Sequence, residues 1–341
     1  VYFYHADRDW YRDLNPSEYL KTFQRGDILD YQPSRGTEVS YVHYRYRFPA
    51  EDIVFTLSGN YVLRVTEQGR ENDILFERAF FVTEQATAVD VDFETFPAPG
   101  QGFRSVSPVA QFSPPSGLEG AVFDYAVCFT QNGLLLQPRC TTDPSLMQQP
   151  DLQFYLQPSA AFEPTSADYY VDLSEIRVGD RIERTNRTES PYGVYLEPDY
   201  ARFGGTGISP LLNGQSVVSA AVRSVSEPAT GAEYLNVQFS FVPPNERRLR
   251  GDIYVVGSFN NWKASPDSRL DFVTGSGRYE GNVLVKQGQH EYRYYATDRE
   301  VRETIDRGIP RPENLYTVFV YYSDIRVNTD RLLTVGGVVR P

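Results

Sequence analysis

Apolar and polar residues alternate one for one through most of this chain, and the three-to-four spacing of an amphipathic helix is almost absent. In residues 41–48, Val42, Tyr44, Tyr46 and Phe48 fall on one side and His43, Arg45 and Arg47 on the other. A half-buried strand requires this, because successive side chains point to opposite faces. The pattern returns with Tyr61, Leu63 and Val65, with Ala121, Phe123, Tyr125, Val127 and Phe129, and with Leu235, Val237, Phe239 and Phe241. Further strand-like runs lie at 78–83, 168–173, 216–225, 252–256, 279–285, 290–296 and 316–322. Short strands punctuated by Gly, Pro and Asn predict an all-β fold of stacked sandwiches. One short helix is predicted at Asn15, an N-cap followed by Pro16, with Glu18 closing a capping box and Tyr19, Leu20 and Phe23 supplying an apolar stripe. It is expected to cross one end of the first sandwich.

The 341 residues suggest two or three domains, at about 150 residues each. Loop-like stretches divide them. FPAPGQG at 96–102 and SPPSG at 113–117 follow a strand-rich block that ends near Glu84, and SEPATGAE at 226–233 reads as a linker. The expected domains are therefore 1–85, 86–226 and 227–341, with an irregular glycine-rich stretch, FGGTGISPLLNG, at 203–214 of the second.

Composition narrows the function. Lys plus Arg is 33 against 45 Asp plus Glu, a net charge of −12, so a nucleic-acid partner is not expected, because phosphate recognition needs clustered positive charge. The same deficit disfavours anionic membrane surfaces. Hydrophobic residues at 40% are too many for a disordered acidic chain, so the protein folds. The longest apolar runs, Tyr125 to Phe129 and Val318 to Tyr322, are of strand length, and insertion into a bilayer is not expected. The first residues, VYFYH, lack an initiator Met and the order of a signal peptide, so the true start is expected to have been removed.

Cys128 and Cys140 lie twelve positions apart around a QNG turn. A hairpin there brings them face to face, and a bond closing so short a loop stabilises by roughly 3 kcal/mol, favouring an oxidising compartment. The same spacing also accommodates two unrelated buried thiols.

Enzymatic chemistry finds few residues. His5, His43 and His290 sit in separate segments without metal-type partners, and neither HExxH nor GxSxG occurs. Gly204, Gly205 and Gly207 do not complete GxGxxG, because Pro210 holds the third place. Asp90, Asp92 and Glu94 alternate along an extended segment and share a face, which reads more readily as a solvated strand than as a cation site. Asp298, Glu300, Glu303 and Asp306, interleaved with Arg299, Arg302 and Arg307, read as a salt-bridged surface. No catalytic, metal or cofactor site is expected. Tyrosine is abundant, 25 residues, and several fall where alternation predicts solvent, such as Tyr41, Tyr295 and Tyr322. Exposed tyrosines suit binding surfaces, but large sandwiches also carry them on both faces.

The segment VVGSFNNWK at 255–263, followed by YEGNVLV and KQGQHEYRYY, resembles the early-set, immunoglobulin-like modules of glycogen-branching enzymes and of the glycogen-binding kinase β-subunit. That resemblance implies an immunoglobulin-like sandwich for the last domain, and it makes Asn261, Trp262 and Lys263 the candidates for sugar contact. The second tryptophan of the glycogen binders has no counterpart, since ATDRE stands in its place.

Several longer segments are more specific: YFYHADRDW at 2–10, PSEYLKTF at 16–23, YVHYRYRFP at 41–49, LSGNYVLRV at 57–65 and ERAFFVTE at 77–84. Towards the C-terminus EYLNVQFSF, GDIYVVGSFNNW, KQGQHEYRYY, PENLYTVFVYY and TDRLL follow in order. Through these segments, over nearly its whole length, the chain resembles the plug protein family of the type IX secretion translocon of Bacteroidota. Leu134 follows QNG where the family usually has an aromatic residue, and the cysteine pair is not a general family feature. The family has strands before the segment that matches Val1, so the first sandwich is expected to lack its first strands, with an exposed or remodelled edge. The resemblance implies tandem immunoglobulin-like/early-set sandwiches in a periplasmic, non-enzymatic protein without cofactors, a monomer by itself. Its partner would be the large outer-membrane β-barrel translocon, whose periplasmic opening it closes. The alternatives are a carbohydrate-binding accessory protein built on the GSFNNWK element and, with only scattered carboxylates in its favour, an acidic-site hydrolase.

Overall fold

The computed structural model describes residues 1–97, 104–119, 122–145, 151–162, 168–201, 212, 214–221, 225, 227–305 and 313–340. The fold is all-β. The chain divides into two compact units that do not follow its order. The first comprises Val1–Asp30, Arg45–Pro164 and Glu313–Pro341, and the second Tyr31–Tyr44 and Thr165–Pro312.

Among the described residues, three sheets build the first unit. Tyr2–Ala6, Gly59–Thr66 and Ile74–Val82 form an antiparallel sheet in that order. Its core is aromatic: Phe3, Tyr19 and Tyr61 are buried with Ile53 and Leu20, and Phe48, Phe55 and Phe80 pack edge-on around Phe3. The expected helix is present as a single turn, Pro16–Tyr19, with the Asn15/Glu18 capping box; Tyr19 and the following Leu20 enter this core, whereas Phe23, expected on the same stripe, lies beyond the helix and is exposed. Along the outer side of the first strand, Gly26 and Val1 exchange backbone hydrogen bonds at 2.8 and 3.0 Å, so this edge is partly covered.

The other two sheets face one another as a sandwich. Leu152–Tyr155, Arg104–Phe112 and Asp90–Pro97 form one; Thr329–Arg340, Asn314–Asp324, Tyr125–Gln131 and Arg139–Thr141 form the other. Tyr125–Gln131 is central and buried on both faces. Tyr125, Val127 and Phe129 meet Phe112, Phe154 and Val318 inside the sandwich, whereas Ala126 and Cys128 join Phe319, Tyr321 and Leu332 against Phe81 of the first sheet. Phe123 was expected on the inner face, but a 3-10 turn, Val122–Asp124, ends the strand and leaves it exposed; Ala121 lies outside the described residues.

The second unit is a sandwich closed by a strand that changes sheets. Arg269–Val273 pairs with Ile253–Gly257 at its start and with Arg278–Lys286 at its end. One sheet continues through Gly288–Ala296 to Tyr169–Asp172, the other through Tyr234–Val242 and Gly193–Leu196 to Ile182–Asn186. Leu235, Val237, Phe239 and Phe241 face inward as the alternation predicts, with Phe241 stacked on Tyr294 at 4.4 Å and Phe239 edge-on to Tyr292 at 5.0 Å. Such a corner-turning strand lets two twisted sheets share one core.

Strand pairing runs across the expected boundaries at 85/86 and 226/227. The last hairpin, residues 314–340, pairs with Tyr125–Gln131, and the strands 182–196 pair towards Tyr234–Val242. Residues 31–44 leave the first unit for the second, so the single strand expected at 41–48 is split. Val42 and Tyr44 belong to a two-stranded hairpin of Asp30–Pro33 with Val42–Arg45, while Tyr46 and Phe48 pack on the first core. Among the described residues two further short helices occur, Pro228–Gly231 in the expected linker and Arg299–Ile305 in the segment expected to be a salt-bridged surface. Asp298 starts the latter by accepting the Val301 N–H at 3.1 Å, and Arg299 bonds Glu303 one turn on, so the charge pattern read as a surface is a helical one. The 203–214 stretch is described only at residues 212 and 214, and Asp306 and Arg307 lie outside the described residues.

Candidate interaction surface

The residues singled out for chemistry are engaged in holding the fold. His290 is buried; its Nε2–H donates to the Lys286 carbonyl at 2.7 Å and its Nδ1 accepts the Ser258 hydroxyl at 3.2 Å, while burial lowers its pKa and keeps it neutral. Asp90, Asp92 and Glu94 occupy the solvent face of their strand, opposite Val91 and Phe93. Among the described residues no group of three or more His, Cys, Asp or Glu side chains could hold a metal ion.

Cys128 lies directly opposite Cys140 in the strand register, and the two are bonded. Beside them Arg139 covers the Phe162 ring at 4.4 Å and donates to the carbonyls of Ala160 and Ala161, fastening this edge strand across the sandwich.

The GSFNNW element is a clamp. Asn260 Oδ1 accepts the Gly257 N–H at 2.9 Å and its Nδ2 donates to Val255 O at 3.0 Å, closing the turn on its own strand. Gly257 is required there, because a Cβ would lie 2.6 Å from the Glu291 carbonyl. Asn261 and Trp262 both adopt left-handed backbone, with φ of 54° and 59°. Trp262 is half-buried: its indole N–H donates to Gly214 O at 2.8 Å, and the Arg293 guanidinium, paired with buried Asp168, lies 5.2 Å from the ring. Asn261 and Lys263 are exposed. The indole that sugar stacking would need is thus turned to fixing residue 214, whose N–H is also held by the buried Glu291 carboxylate.

A buried network in the second unit had no sequence signal. Asp199 accepts from Tyr292 at 2.8 Å, from Tyr294 at 2.6 Å and from Arg181, which also donates to Tyr292 at 2.9 Å. Burial pushes the Asp199 carboxyl up, against the charge and hydrogen bonds of Arg181 and the two phenols, and the tyrosines are held far above their ordinary range. Its donors come from both sheets of the sandwich, and such a network fixes their register.

The tyrosines expected in solvent are mostly half-buried. Tyr41 donates to Ala232 O at 2.9 Å and packs edge-on against Tyr234, with the Lys286 ammonium 3.9 Å from its ring centroid. Tyr295 lies under Arg302, and Tyr322 packs on Tyr125. Tyr41 instead anchors the excursion 31–44 to the second unit, helped by Arg35 N–H on Thr230 O and Glu38 N–H on the Glu233 carboxylate. What the anchored hairpin leaves in solvent is its other face. Tyr31 and Tyr44 lie with rings 6.2 Å apart at 62% and 59% exposure, and Val42 beside them is also exposed. The described residues contain no helix long and apolar enough to cross a membrane.

Residues 1–84 match the family model for the type 9 secretion system plug protein 1st domain. That segment is therefore similar to the opening domain of the type IX secretion plug family, which suggests a role in type IX secretion. A crystal structure of a hypothetical protein from Parabacteroides merdae shares the fold with a TM-score of 0.84, at 24% identity, covering 99% of this chain and 86% of that one. No curated protein matches the chain. The likeness of the last module to glycogen-binding domains finds no support in these comparisons.

Proposed function

We propose that this protein is a plug of the type IX secretion translocon, resting in the periplasm against a very large outer-membrane barrel and closing it when nothing is exported. The observation that carries the reading is the match of residues 1–84 to the first plug domain. Obstruction needs rigid mass and no bond-making. The aromatic first core and the two following sheets, joined in one unit, supply such a body. It also needs a reversible interface, and the exposed face of Tyr31, Val42 and Tyr44 has the mixed aromatic character that such interfaces favour. In this reading the protein catalyses no reaction, and that hairpin face meets the barrel. The test is deletion of the gene, with uptake of a large antibiotic across the outer membrane as readout. The reading predicts increased uptake, restored by the wild-type chain and less well by Tyr31→Ser/Tyr44→Ser. Uptake unchanged by deletion would overturn it.

A further inference from the structure

His5 occupies the place where the first sheet meets the last hairpin, and neither of its ring nitrogens faces a group that needs its lone pair. Nδ1 lies 2.8 Å from Asp13 Oδ1 and Nε2 lies 3.2 Å from the Ser58 carbonyl oxygen. A carboxylate and a carbonyl only accept, so a proton on each nitrogen satisfies both contacts, while either neutral tautomer sets a lone pair against an oxygen. The side chain is buried. The backbone has made room for it, because a Cβ at Gly59 would lie 2.4 Å from Nε2.

The partners of His5 lead directly into the last hairpin. Asp13 also accepts the hydroxyl of Thr329, the first residue of the final strand. Ser58 Oγ accepts the Leu332 N–H at 3.0 Å and donates to Glu84 at 2.7 Å, and Arg331 grips Glu84. Beside them Arg8 pairs with Asp330 at 3.2 Å. The remaining walls are the rings of Tyr19, from the helix, and Tyr61, from the second strand of the sheet. Burial raises both phenols, Tyr19 to about 12, so they stay neutral where an imidazole titrates. Against the cost of burial, the hydrogen bonds from His5 and Thr329 hold Asp13 below its ordinary range. The charged groups around the His5–Asp13 pair are Asp7, whose carboxyl burial raises, and Glu84, Arg331, Arg8 and Asp330.

We propose that His5 is held as the imidazolium and that the His5–Asp13 pair is a proton-sensitive clasp between the first plug domain and the C-terminal hairpin. Loss of the His5 proton leaves one acceptor facing a lone pair in a buried site, so the clasp loosens when that proton is lost. Loss of the Asp13 charge loosens it at the acid end. The clasp does not depend on the translocon reading, since it concerns only the joint within the first unit.

The test is ¹⁵N NMR of the full chain labelled at histidine, together with hydrogen exchange of residues 329–334 from about pH 6 to pH 9. At pH 6 both His5 nitrogens should resonate as protonated imidazolium, and exchange protection of 329–334, corrected for intrinsic rate, should fall at least threefold as the second resonance moves to that of a neutral ring. In His5→Gln, and in the milder Thr329→Val that keeps the pair but cuts its link to the hairpin, the fall should be absent or halved. A neutral tautomer at pH 6 in the wild-type chain, or protection independent of the His5 titration, overturns the proposal, and the wild-type measurement decides even if His5→Gln fails to fold.

Discussion

Arg331 closes a fork on the Glu84 carboxylate, with hydrogen bonds of 2.8 and 2.7 Å between residues 247 positions apart in sequence. The pair joins the end of the segment 1–84 to the last strand described, and Tyr321 adds a second link by donating to Asn60 at 2.7 Å. Phe81 and Phe319 pack at 4.7 Å beneath them. The joint thus combines apolar burial with directed polar contacts, and geometry of this kind resists hinge motion. Arg331→Met should cost about 1–3 kcal/mol, since a partly buried carboxylate loses a charged two-bond partner. Chemical denaturation of the full chain, compared with Glu84→Gln and the double variant, measures it; additive losses would show that the two residues do not interact.

Acid should loosen the same region. Burial works to raise Glu84, but the hydrogen bonds of Arg331 and Ser58 outweigh it and hold the carboxyl below its ordinary range. Arg326 and Arg331 depress Asp324 further still. A depressed carboxylate contributes stability that is present above the ordinary range and lost as pH falls through the folded-state value. The melting temperature should therefore hold steady from neutral pH to about 5 and drop below about 4, and Asp324→Asn should flatten that drop. A wild-type profile that is flat down to pH 2 would contradict this.

Asp199 and Arg181 make a different prediction for the second unit. Arg181→Met leaves a carboxylate buried among two phenols without its cation, and breaking such a pair costs about 3–5 kcal/mol. Tyr294→Phe removes one donor and should cost about 1–2 kcal/mol. Thermal melting of the two variants checks the order; equal losses would mean that the charge contributes nothing beyond a hydrogen bond.

For Trp262 the geometry separates two roles. Trp262→Ala should destabilise the second unit by about 2–4 kcal/mol through lost aromatic packing and the released Gly214 contact. Affinity electrophoresis on glycogen should show no retardation of either the wild-type or the variant chain. Retardation abolished by the substitution would restore the carbohydrate reading.

The sequence revealed strands better than it revealed partners. Leu235 to Phe241 alternate in a strand with one buried face, and there the period of two translates directly into core and surface. It failed at Val42 to Phe48, where one alternating run serves two units, because periodicity records which side chains want burial and not which core receives them. The strand Thr329–Arg340 passed unnoticed, since Gly336 and Gly337 interrupt its apolar pattern, and its pairing brings residues nearly two hundred positions away into the same sheet. Capping at Asn15 was legible because it is local chemistry. The Asp199 network was not, because its members at 181, 199, 292 and 294 meet only through tertiary pairing. Trp262 stood out in the sequence only as a candidate for sugar contact, and no local signal told that Gly214 would take its N–H.

The role proposed for this chain is to lodge against an export channel. Capture of the tagged full-length protein from native outer membranes, followed by mass identification of what is retained, tests it most directly. The account predicts a very large outer-membrane barrel in stoichiometric yield, diminished by Tyr31→Ser/Tyr44→Ser at unchanged melting temperature. A retained fraction that contains no such barrel would contradict it.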